Sequence, residues 1–534
     1  TPEPPIEDPV TTPGPRTSPE SPAPRAGARR WAALAVLMLP VLMISVDTTV
    51  LSFAVPHLST ALAPTGTELL WIVDGYSLAI AGLLVTMGAL GDRSGRRRLL
   101  LVGAAGFGAV SALAAFAPTA EALIAARVAL GVFGATLMPS TLALLRSVFP
   151  DREQRRTAFA VWAGAFAGGA ALGPVVGGLL LERFWWGSVF LVNVPVVVLV
   201  LVLLPLLVRE SRSAAPVRLD PASAALATAA MLGVVYGVKA VADHGPGALP
   251  LGALAAGVVL GVVFVRRQRA LAEPLLDVGL FRLPVFRTAV LANLMSICGM
   301  TGMLFAVSQY LQLVLGLSPV RAGLLLLPGA VVSVGAGLLA ARLARRARLD
   351  VLICTGLLLG TAGYAVAATL GPAGDGAVTA AAVQLAVAFV VLSAGTGLAE
   401  TLTNDAILSA APADRAGAAS AISETAYEVG AVLGTTVLGS VLNAVYSAQV
   451  RVPAAAGAEG AVAAETLGGA VEVAGRLPAE VGAELLGSAR EAFAHGLDTT
   501  AAAGAVLTAL AALVVHRQLR PRAVDARVPE DVRA

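Results

Sequence analysis

The chain has 534 residues, of which 57% are apolar and only 13% are charged, and its mean hydropathy is +0.81. Soluble globular chains are about 45–50% apolar and about 25% charged, so this composition excludes a set of soluble domains and indicates an integral membrane protein. The net charge of +3 is small, and the 37 basic residues include a single lysine, Lys239.

The chain begins with a polar segment and continues as a series of apolar runs. Residues 1–30 are rich in Pro, Ser and charge, which predicts a disordered tail. Beyond them, runs near the roughly 20 residues that span a bilayer recur fourteen times. We place them at about 31–55, 69–90, 99–117, 121–147, 157–181, 188–208, 221–241, 251–265 (a short run), 288–313, 321–341, 351–370, 379–408, 416–443 and 500–516.

Arginine is abundant in alternate connections between the spans, and this pattern predicts the orientation of the chain in the membrane. If the N-terminus is cytoplasmic, the inside connections carry arginine clusters, at 93–98, 152–156, 209–218, 266–287, 342–348 and 517–522. The short outside connections carry chiefly Arg183 and Arg321. This bias fits the positive-inside rule and an even number of spans, so we expect both termini, including a tail at 518–534, to be cytoplasmic.

An internal repeat predicts two related halves. The segment SVFPDREQRRTAF (147–159) follows the fourth span and SAAPADRAGAASA (409–421) follows the twelfth, and a glycine-rich helix comes next in both places. The sequence therefore predicts two six-helix bundles, 31–208 and 288–517, with an inserted two-helix linker at 209–287. Paired halves around a site at the membrane midplane are common in secondary transporters.

The outside connection at 444–499 is much longer than the others and is rich in Ala, Gly and Glu. It predicts either a flexible external loop or an acidic lip that concentrates cations. Within it, 478–496 has helical spacing and predicts a short amphipathic surface helix.

The connection after the second span, GALGDRSGRRRLL (88–100), combines turn glycines with an acid and several arginines. Gly permits a tight turn, and a carboxylate pairs with arginine or sits at a helix N-terminus. This segment resembles the loop signature of the major facilitator superfamily. The matching residues are Gly88, Leu90, Asp92, Arg93, Gly95, Arg96 and Arg97. The resemblance implies a cytoplasmic charge latch that holds the outward-open state and breaks when the transporter opens inward.

Three further segments narrow the resemblance. GAALGPVVGG (169–178), with Gly173, Pro174 and Gly177, resembles the fifth-helix antiporter motif, and its small residues also permit close helix packing. VDTTVLSFAVPHL (46–58), with Asp47, resembles the first-helix motif of fourteen-helix drug:proton antiporters, although Ser52 replaces the usual Asn. LIAARVALGVFGA (123–135) resembles the fourth-helix motif with its arginine, Arg127.

The resemblance covers 31–517 and is closest to multidrug exporters of the quaternary-ammonium-compound efflux type. It implies an all-α membrane protein with the major facilitator fold. Glu424 and Glu428, in AISETAYEVGAVLG (421–434), match the acidic pair of the thirteenth helix of that family, and Asp47 and Asp74 match its acids on helices one and two.

Charged side chains inside the spans cost about 2.5–3.5 kcal/mol each on insertion scales, so they must face a polar cavity or one another. Asp47, Asp74, Glu400, Glu424 and Glu428 are therefore candidates for binding protons and substrate. A buried carboxylate that only positions a helix is the alternative for each. Asp74 and Arg127 both fall in the outer third of their spans, where they would also be able to pair as a structural clamp.

Aromatic side chains near these acids are candidates for contact with a cation. Trp71 on the second span and Tyr427 beside the glutamates would each offer a cation–π surface worth about 0.5–2 kcal/mol. Trp and Tyr near helix ends also serve as interface anchors, which is the alternative for both residues.

The functional hypothesis is a proton-coupled antiporter of a bacterial cytoplasmic membrane that exports lipophilic, cationic drugs by alternating access. Its partners are the substrate, protons and the lipid bilayer. A dedicated exporter of one self-made antibiotic is the first alternative, and a non-transporting sensor or anchor is the second. We expect a monomer that is not an enzyme and has no cofactor, metal site, ATP-binding loop or nucleic-acid partner.

Overall fold

The computed structural model describes residues 27–212, 220–271, 274, 276–344, 346–370, 378–411 and 416–519. Within these ranges the chain is helical along most of its length and contains no β-strand. Fourteen helical segments are long and apolar enough to cross a membrane, which confirms the predicted fold class. The predicted tails at 1–30 and 518–534 lie almost wholly outside the described residues.

The first six spans form one bundle, and local capping explains where several of its helices begin. At the start of α2, Thr65 and Glu68 form a reciprocal capping box, and at the start of α5 the Asp151 side chain accepts a hydrogen bond from the Gln154 N–H. The helices are α1 (Ala28–Leu62), α2 (Gly66–Ser94), α3 (Arg96–Ala114), α4 (Ala120–Val148), α5 (Arg152–Arg183), and α6 (Ser188–Leu191) with α7 (Asn193–Leu207), which together make one span.

The inserted pair consists of α8 (Pro221–His244) and α9 (Ala248–Ala270). The expected short eighth span is thus a helix of 23 residues. Asp220 caps α8 and pairs with Arg267 near the end of α9, with 3.0 Å between Oδ1 and the guanidinium. The hydrogen bonds from Arg267 and Ser223 hold the pKa of Asp220 at about 2. This ion pair joins the two ends of the hairpin, and α8 packs against α2.

The second bundle begins after a 3₁₀ turn at Val278–Arg282, and two of its spans contain a π-helical segment. These segments are Tyr310–Val314 at the end of α10 and Gly434–Leu438 between α14 and α15. The helices are α10 (Pro284–Gln309), α11 (Pro319–Leu343), α12 (Leu349–Ala367), α13 (Val378–Ala410), α14 (Ala416–Leu433), α15 (Gly439–Gln449), α16 (Gly460–Glu465), α17 (Leu467–Ala474) and α18 (Ala479–Leu519).

The predicted connection at 444–499 is largely helical rather than a loop. α15 continues to Gln449, and α16 and α17 form a small cap, which we define as residues 454–474. The predicted surface helix at 478–496 is the first part of α18, a single helix of 41 residues that also makes the last span. Tyr446 donates a hydrogen bond to the carbonyl of Ala463 (2.8 Å), so the cap is tied to the end of the preceding span.

The two bundles meet at the end opposite the arginine clusters, which we call the arginine-poor end. A Cβ built at Gly178 of α5 would lie 2.7 Å from the Val320 Cα of α11, and one at Gly323 of α11 would lie 2.5 Å from the Pro174 carbonyl oxygen of α5. Toward the arginine-rich end, a Cβ at Gly164 would meet no described atom within 4 Å. The close packing of α5 on α11 therefore lies at the arginine-poor end.

Gly173 and Gly177 of the predicted antiporter motif have a different partner. Their Cβ atoms would collide with Thr49 and Val50 of α1, in the same bundle. The glycines of α5 thus allow two close approaches. Gly173 and Gly177 pack against α1, and Gly178 packs against α11, as expected for small residues in membrane helices.

We predict that Gly178→Ala shifts the transporter away from the state in which α5 and α11 touch, because overpacking costs about 1–3 kcal/mol. Gly164→Ala, on the same helix in open space, is the matched control. Spin labels at positions 183 and 321, in a background with both cysteines replaced by serine, report the distance between the helix ends. A Gly178→Ala distance distribution identical to that of the control would contradict this reading of the interface.

Candidate functional site

A cavity of about 230 Å³ lies between the two bundles. Its exposed wall is mostly apolar in area, and its polar groups are the acids Asp74 and Glu400, the base Arg127, and the hydroxyls of several residues including Ser77. The aromatic residues of the wall are Tyr76, Phe166, Phe305, Phe389 and Tyr427. An apolar, aromatic cavity with a few placed charges is typical of a site for organic molecules.

Asp47 is fully paired inside the first bundle. Its Oδ2 lies 2.9 Å from the Arg127 guanidinium, and its Oδ1 accepts a hydrogen bond from Asn193 (3.1 Å). Both charged side chains are at most 2% exposed. Arg127 also donates to the Ile72 carbonyl (3.0 Å) and lies 4.5 Å from the ring centroid of Tyr76. Asp47 therefore ties α1 to α4 and α7, and in this conformation its charge is already compensated.

Asp74 is paired with the inserted helix. The predicted clamp between Asp74 and Arg127 is wrong, because Arg127 is bound to Asp47 and Asp74 Oδ2 lies 2.9 Å from Lys239 Nζ of α8. Thr436, in the π-helical segment of the second bundle, donates to the same oxygen (2.8 Å). One carboxylate thus joins the first bundle, the second bundle and the inserted pair.

Trp71 is in contact with a cationic side chain of this protein. The Lys239 ammonium lies 4.5 Å from the ring centroid of Trp71, and Trp71 packs against the cluster formed by Leu78, Val235 and Val432. The ring is not part of the cavity wall described above. In this conformation its cation–π surface stabilises the Asp74–Lys239 pair instead of facing a substrate.

The glutamates behave differently from the two aspartates. Glu400 of α13 and Tyr427 of α14 line the cavity, and Glu428 lies beside Ser77 of α2. Glu400 and Glu424 lie close enough for their charges to repel each other. None of Glu400, Glu424 and Glu428 forms an ion pair with a described residue, and each is half-buried.

Tyr427 spans the cavity between the bundles. Its ring lies 6.2 Å from that of Phe166 of α5 in an edge-on arrangement, and Phe166 stacks on Trp162 at the same distance. This aromatic group lies beside the glutamates, where it provides the flat apolar surface expected of a site for planar organic molecules.

The loop motif between α2 and α3 contacts the segment that follows α7. Gly95 has φ of +115°, a backbone conformation that glycine adopts without strain. Glu210 accepts hydrogen bonds from the backbone N–H groups of Arg97 (3.0 Å) and Arg98 (3.1 Å), and so neutralises the N-terminus of α3. The side chain of Arg97 bonds to the Val208 carbonyl (3.1 Å).

The role of the motif as a latch between bundles remains a prediction. Gly88 approaches Pro139 of the same bundle, Arg93 is exposed and Arg96 bonds to Ser211. The side chain of Asp92 lies outside the described part of the chain.

Sequence reasoning missed several residues of these networks, namely Lys239, Asn193, Thr436 and Glu210. For Lys239 the signal was present, because an ionisable side chain inside an apolar run is rare and functional by default. The others are polar residues in or beside apolar spans, and only the packing of distant segments shows which acid each one meets.

Two helical bundles around a central cavity with buried charged groups define a secondary transporter. The family model described as Major Facilitator Superfamily matches residues 37–435, and the chain belongs to that superfamily. A solved structure of a bacterial homolog to the human lysosomal transporter Spinster, in an inward-facing and occupied conformation, has the same fold. Its TM-score is 0.66 at 17% identity, over 93% of this chain and 98% of that one.

Three relatives are exporters or resistance proteins. The multidrug efflux pump LfrA of Mycolicibacterium smegmatis is 52% identical over 92% of this chain and 96% of its own. The methyl viologen resistance protein SmvA of Salmonella typhimurium is 38% identical over 90% and 97%. The tetracenomycin C resistance and export protein of Streptomyces glaucescens is 35% identical over 96% and 95%. The chain is thus a multi-pass efflux transporter of the bacterial cytoplasmic membrane and not an enzyme.

We predict that Asp47→Asn destabilises the folded protein by about 3–5 kcal/mol, because it leaves the buried Arg127 without its counter-charge. Asp405→Asn, at an exposed position, is the matched control. Thermal unfolding of the purified variants in detergent, followed by tryptophan fluorescence, measures the difference. Equal melting temperatures for the two variants would mean that the Asp47–Arg127 pair does not hold the first bundle together.

Proposed function

We propose that this transporter exports lipophilic organic cations in exchange for protons. The observation that carries the proposal is the group of three glutamates, Glu400, Glu424 and Glu428, beside an aromatic cavity and without a basic partner among the described residues. A carboxylate removed from water either binds a proton or is neutralised by a cation. Proton and drug therefore compete for the same negative charge.

The arrangement supports alternating access. The arginine-rich end faces the cytoplasm by the positive-inside rule, so a separation of the bundles at that end would open the cavity toward the cytoplasm and the inner leaflet. A lipophilic cation that enters meets Glu424 and Glu428 in their ionised form and the rings of Phe166 and Tyr427. After the bundles rock to open the other end, protons from outside neutralise the glutamates and the cation leaves.

Charge accounting favours this exchange. Moving a cation out of the cell against a membrane potential of about 100 mV costs roughly 2.3 kcal/mol per charge. Each proton that enters the cell releases the same amount of free energy. One-for-one exchange of a monovalent cation is therefore electroneutral, and a pH difference drives it with about 1.4 kcal/mol per pH unit. Three adjacent glutamates provide enough sites for a second proton when the substrate carries two charges, as methyl viologen does.

The relatives support the cationic class and also one alternative. The methyl viologen resistance protein is named for an organic dication, and LfrA is named as a multidrug pump. The tetracenomycin C exporter, named for a single antibiotic, favours the second candidate, a dedicated exporter of one self-made compound. The two candidates differ in breadth: a multidrug exporter moves several unrelated dyes, whereas a dedicated exporter moves none or one of them.

We predict that Glu428→Gln lowers proton-driven ethidium transport at least tenfold in inverted membrane vesicles, because a neutral amide neither binds the proton nor compensates the cation. Glu480→Gln, an identical change at an exposed position of α18, is the control and should transport normally. Fluorescence of ethidium follows the transport. Wild-type rates in Glu428→Gln would remove this glutamate from the proposed mechanism.

We also predict that binding of ethidium to the purified protein releases protons, and that its affinity rises with pH, since deprotonation creates the charge that the cation needs. A pH indicator in weakly buffered detergent solution measures the release, and Glu424→Gln should release fewer protons per bound ethidium than the wild type. Binding without proton release, at the same affinity from pH 6 to pH 8, would be incompatible with competition for one charge.

A further inference from the structure

A second, smaller cavity lies at the arginine-poor end, apart from the central one. Its volume is about 140 Å³, and α2, α8, α15 and α16 form its walls. We call it the outer crevice. Its polar lining comes from Thr67, Lys239, Ser440, Asn443, Ser447 and Glu465. The central cavity shares no lining residue with the crevice, although α2 contributes to both, and α5 and α11 pack against each other at this end.

A polar stripe leads from the outer crevice to Asp74. Thr436, Ser440, Asn443 and Ser447 follow one another at intervals of four, three and four residues, a spacing that places side chains on one helix face. The last three line the crevice. The first, Thr436, donates its hydroxyl hydrogen bond to Asp74 Oδ2, so the stripe ends on the carboxylate.

Two buried polar atoms in the crevice need solvent partners. Ser440 Oγ and Lys239 Nζ have no hydrogen-bond partner of good geometry among the described residues, although Lys239 Nζ lies 2.9 Å from Asp74 Oδ2. Ser440 and Lys239 are only 6% and 1% exposed. Buried polar groups are normally satisfied by protein or by water, and a cavity needs only about 10–15 Å³ for one water molecule. The crevice has room for several.

The Asp74–Lys239 pair separates the two cavities. Lys239 lines the outer crevice, whereas Asp74 lines the central cavity. Asp74 is the charged group in contact with Lys239, Glu465 of α16 lines the same crevice, and α9 faces this part of α8 with apolar groups such as Leu254. The contact between the two charged groups is therefore a direct polar connection between the outer crevice and the central cavity.

We propose that Lys239 and Asp74 form a proton relay that brings external protons from the outer crevice to the central cavity. The ammonium of Lys239 gives a proton to the Asp74 carboxylate: one N–H bond breaks, one O–H bond forms, and the pair becomes an amine and a carboxylic acid without a change of net charge. Water in the outer crevice, carrying the external proton, then reprotonates the amine. Asp74 passes its proton to the central cavity, which Ser77, one turn along α2, and Glu400 of α13 also line.

This relay rests on the proposed proton-coupled function and gives it a route. It also assigns a role to the inserted helix pair, which supplies the lysine. A guanidinium keeps its proton under all physiological conditions, so arginine at position 239 would keep the ion pair with Asp74 and remove the relay.

The test compares wild type, Lys239→Arg and Lys239→Gln, reconstituted in liposomes with an imposed pH gradient and followed by ethidium fluorescence. We expect at least a tenfold loss of proton-driven transport in both variants. We also expect the steep dependence of wild-type transport on external pH to become flat in Lys239→Arg, whose melting temperature should stay close to that of the wild type. A Lys239→Arg protein with wild-type transport and pH dependence would overturn the relay, because a fixed positive charge would then be sufficient.

A second measurement does not depend on the folding of the lysine variants. Ser447→Cys, in a background with Cys298 and Cys354 replaced by serine, places a thiol at the exposed part of the outer crevice. A bulky, membrane-impermeant thiosulfonate added outside should block proton-driven transport at least fivefold. Ala448→Cys, exposed and outside the crevice lining, is the control and should be unaffected.

The outcomes distinguish this inference from the proposed function. Wild-type protein without proton-driven ethidium transport would overturn the proposed function, and the relay with it. Proton-driven transport in the wild type that survives either Lys239→Arg or modification of Ser447→Cys would overturn the relay alone and leave the glutamates as the proton sites.

Discussion

A carboxylate inside a membrane bundle needs a partner for its charge, and the way in which each acid of this protein finds one organises the rest of the structure. Asp47 is held by Arg127 and Asn193 within the first bundle. Asp74 is held by a lysine from the inserted pair and a threonine from the second bundle. The glutamates of α13 and α14 have no basic partner among the described residues. The acids thus divide into one that stabilises a bundle, one that joins three parts of the molecule, and a group that has no counter-charge among the described residues.

The contacts between bundles fall where the backbone departs from regular α-helix. Gln312, in the π-helical segment after α10, donates to the Phe53 carbonyl of α1 (3.2 Å), and Thr436, in the other π-helical segment, donates to Asp74. π-helical turns often mark functional sites. Each of the two π-helical segments directs a polar side chain toward the first bundle, at the arginine-poor end where the bundles touch. These polar contacts between the bundles therefore come from irregular turns of the second bundle.

Much of the fold was predictable, because the constraint that lipid places on the backbone is strong and local. Apolar length fixes the spans, and all fourteen were found. The glycines of the fifth span predicted close packing because packing in a membrane depends on side-chain size. By contrast, the partners of the buried acids depend on residues hundreds of positions apart. The position of a residue along its helix placed Asp74 and Arg127 at the same depth in the membrane. It does not show how each helix is rotated about its own axis, and this rotation decides which side chains meet. In the structure Asp47 pairs with Arg127, and Asp74 pairs with Lys239.

The segment at 444–499 illustrates a second limit. Its Ala, Gly and Glu content suggested a solvated connection, yet it forms α16, α17 and a continuation of the last span, since tertiary packing decides whether weakly amphipathic sequence becomes helix. Its acids are partly paired: Arg476 bonds to Glu459 and Glu472. The acidic lip is accordingly less negative than the sequence alone suggests.

The cap has a mechanical consequence for transport. Gly468 of α17 packs so closely on Ser59 of α1 that a Cβ there would lie 2.2 Å from the Ser59 Cβ, while α17 also packs on α18. It therefore acts as a brace between the first and last spans. α18 is about 60 Å long at 1.5 Å per residue, roughly twice the hydrocarbon thickness, so a small tilt of this rod at the membrane centre is amplified at its outer tip. Because α17 packs on both α1 and α18, a movement that separates these two helices at their outer ends would have to break the contact with Ser59 or the contact with α18.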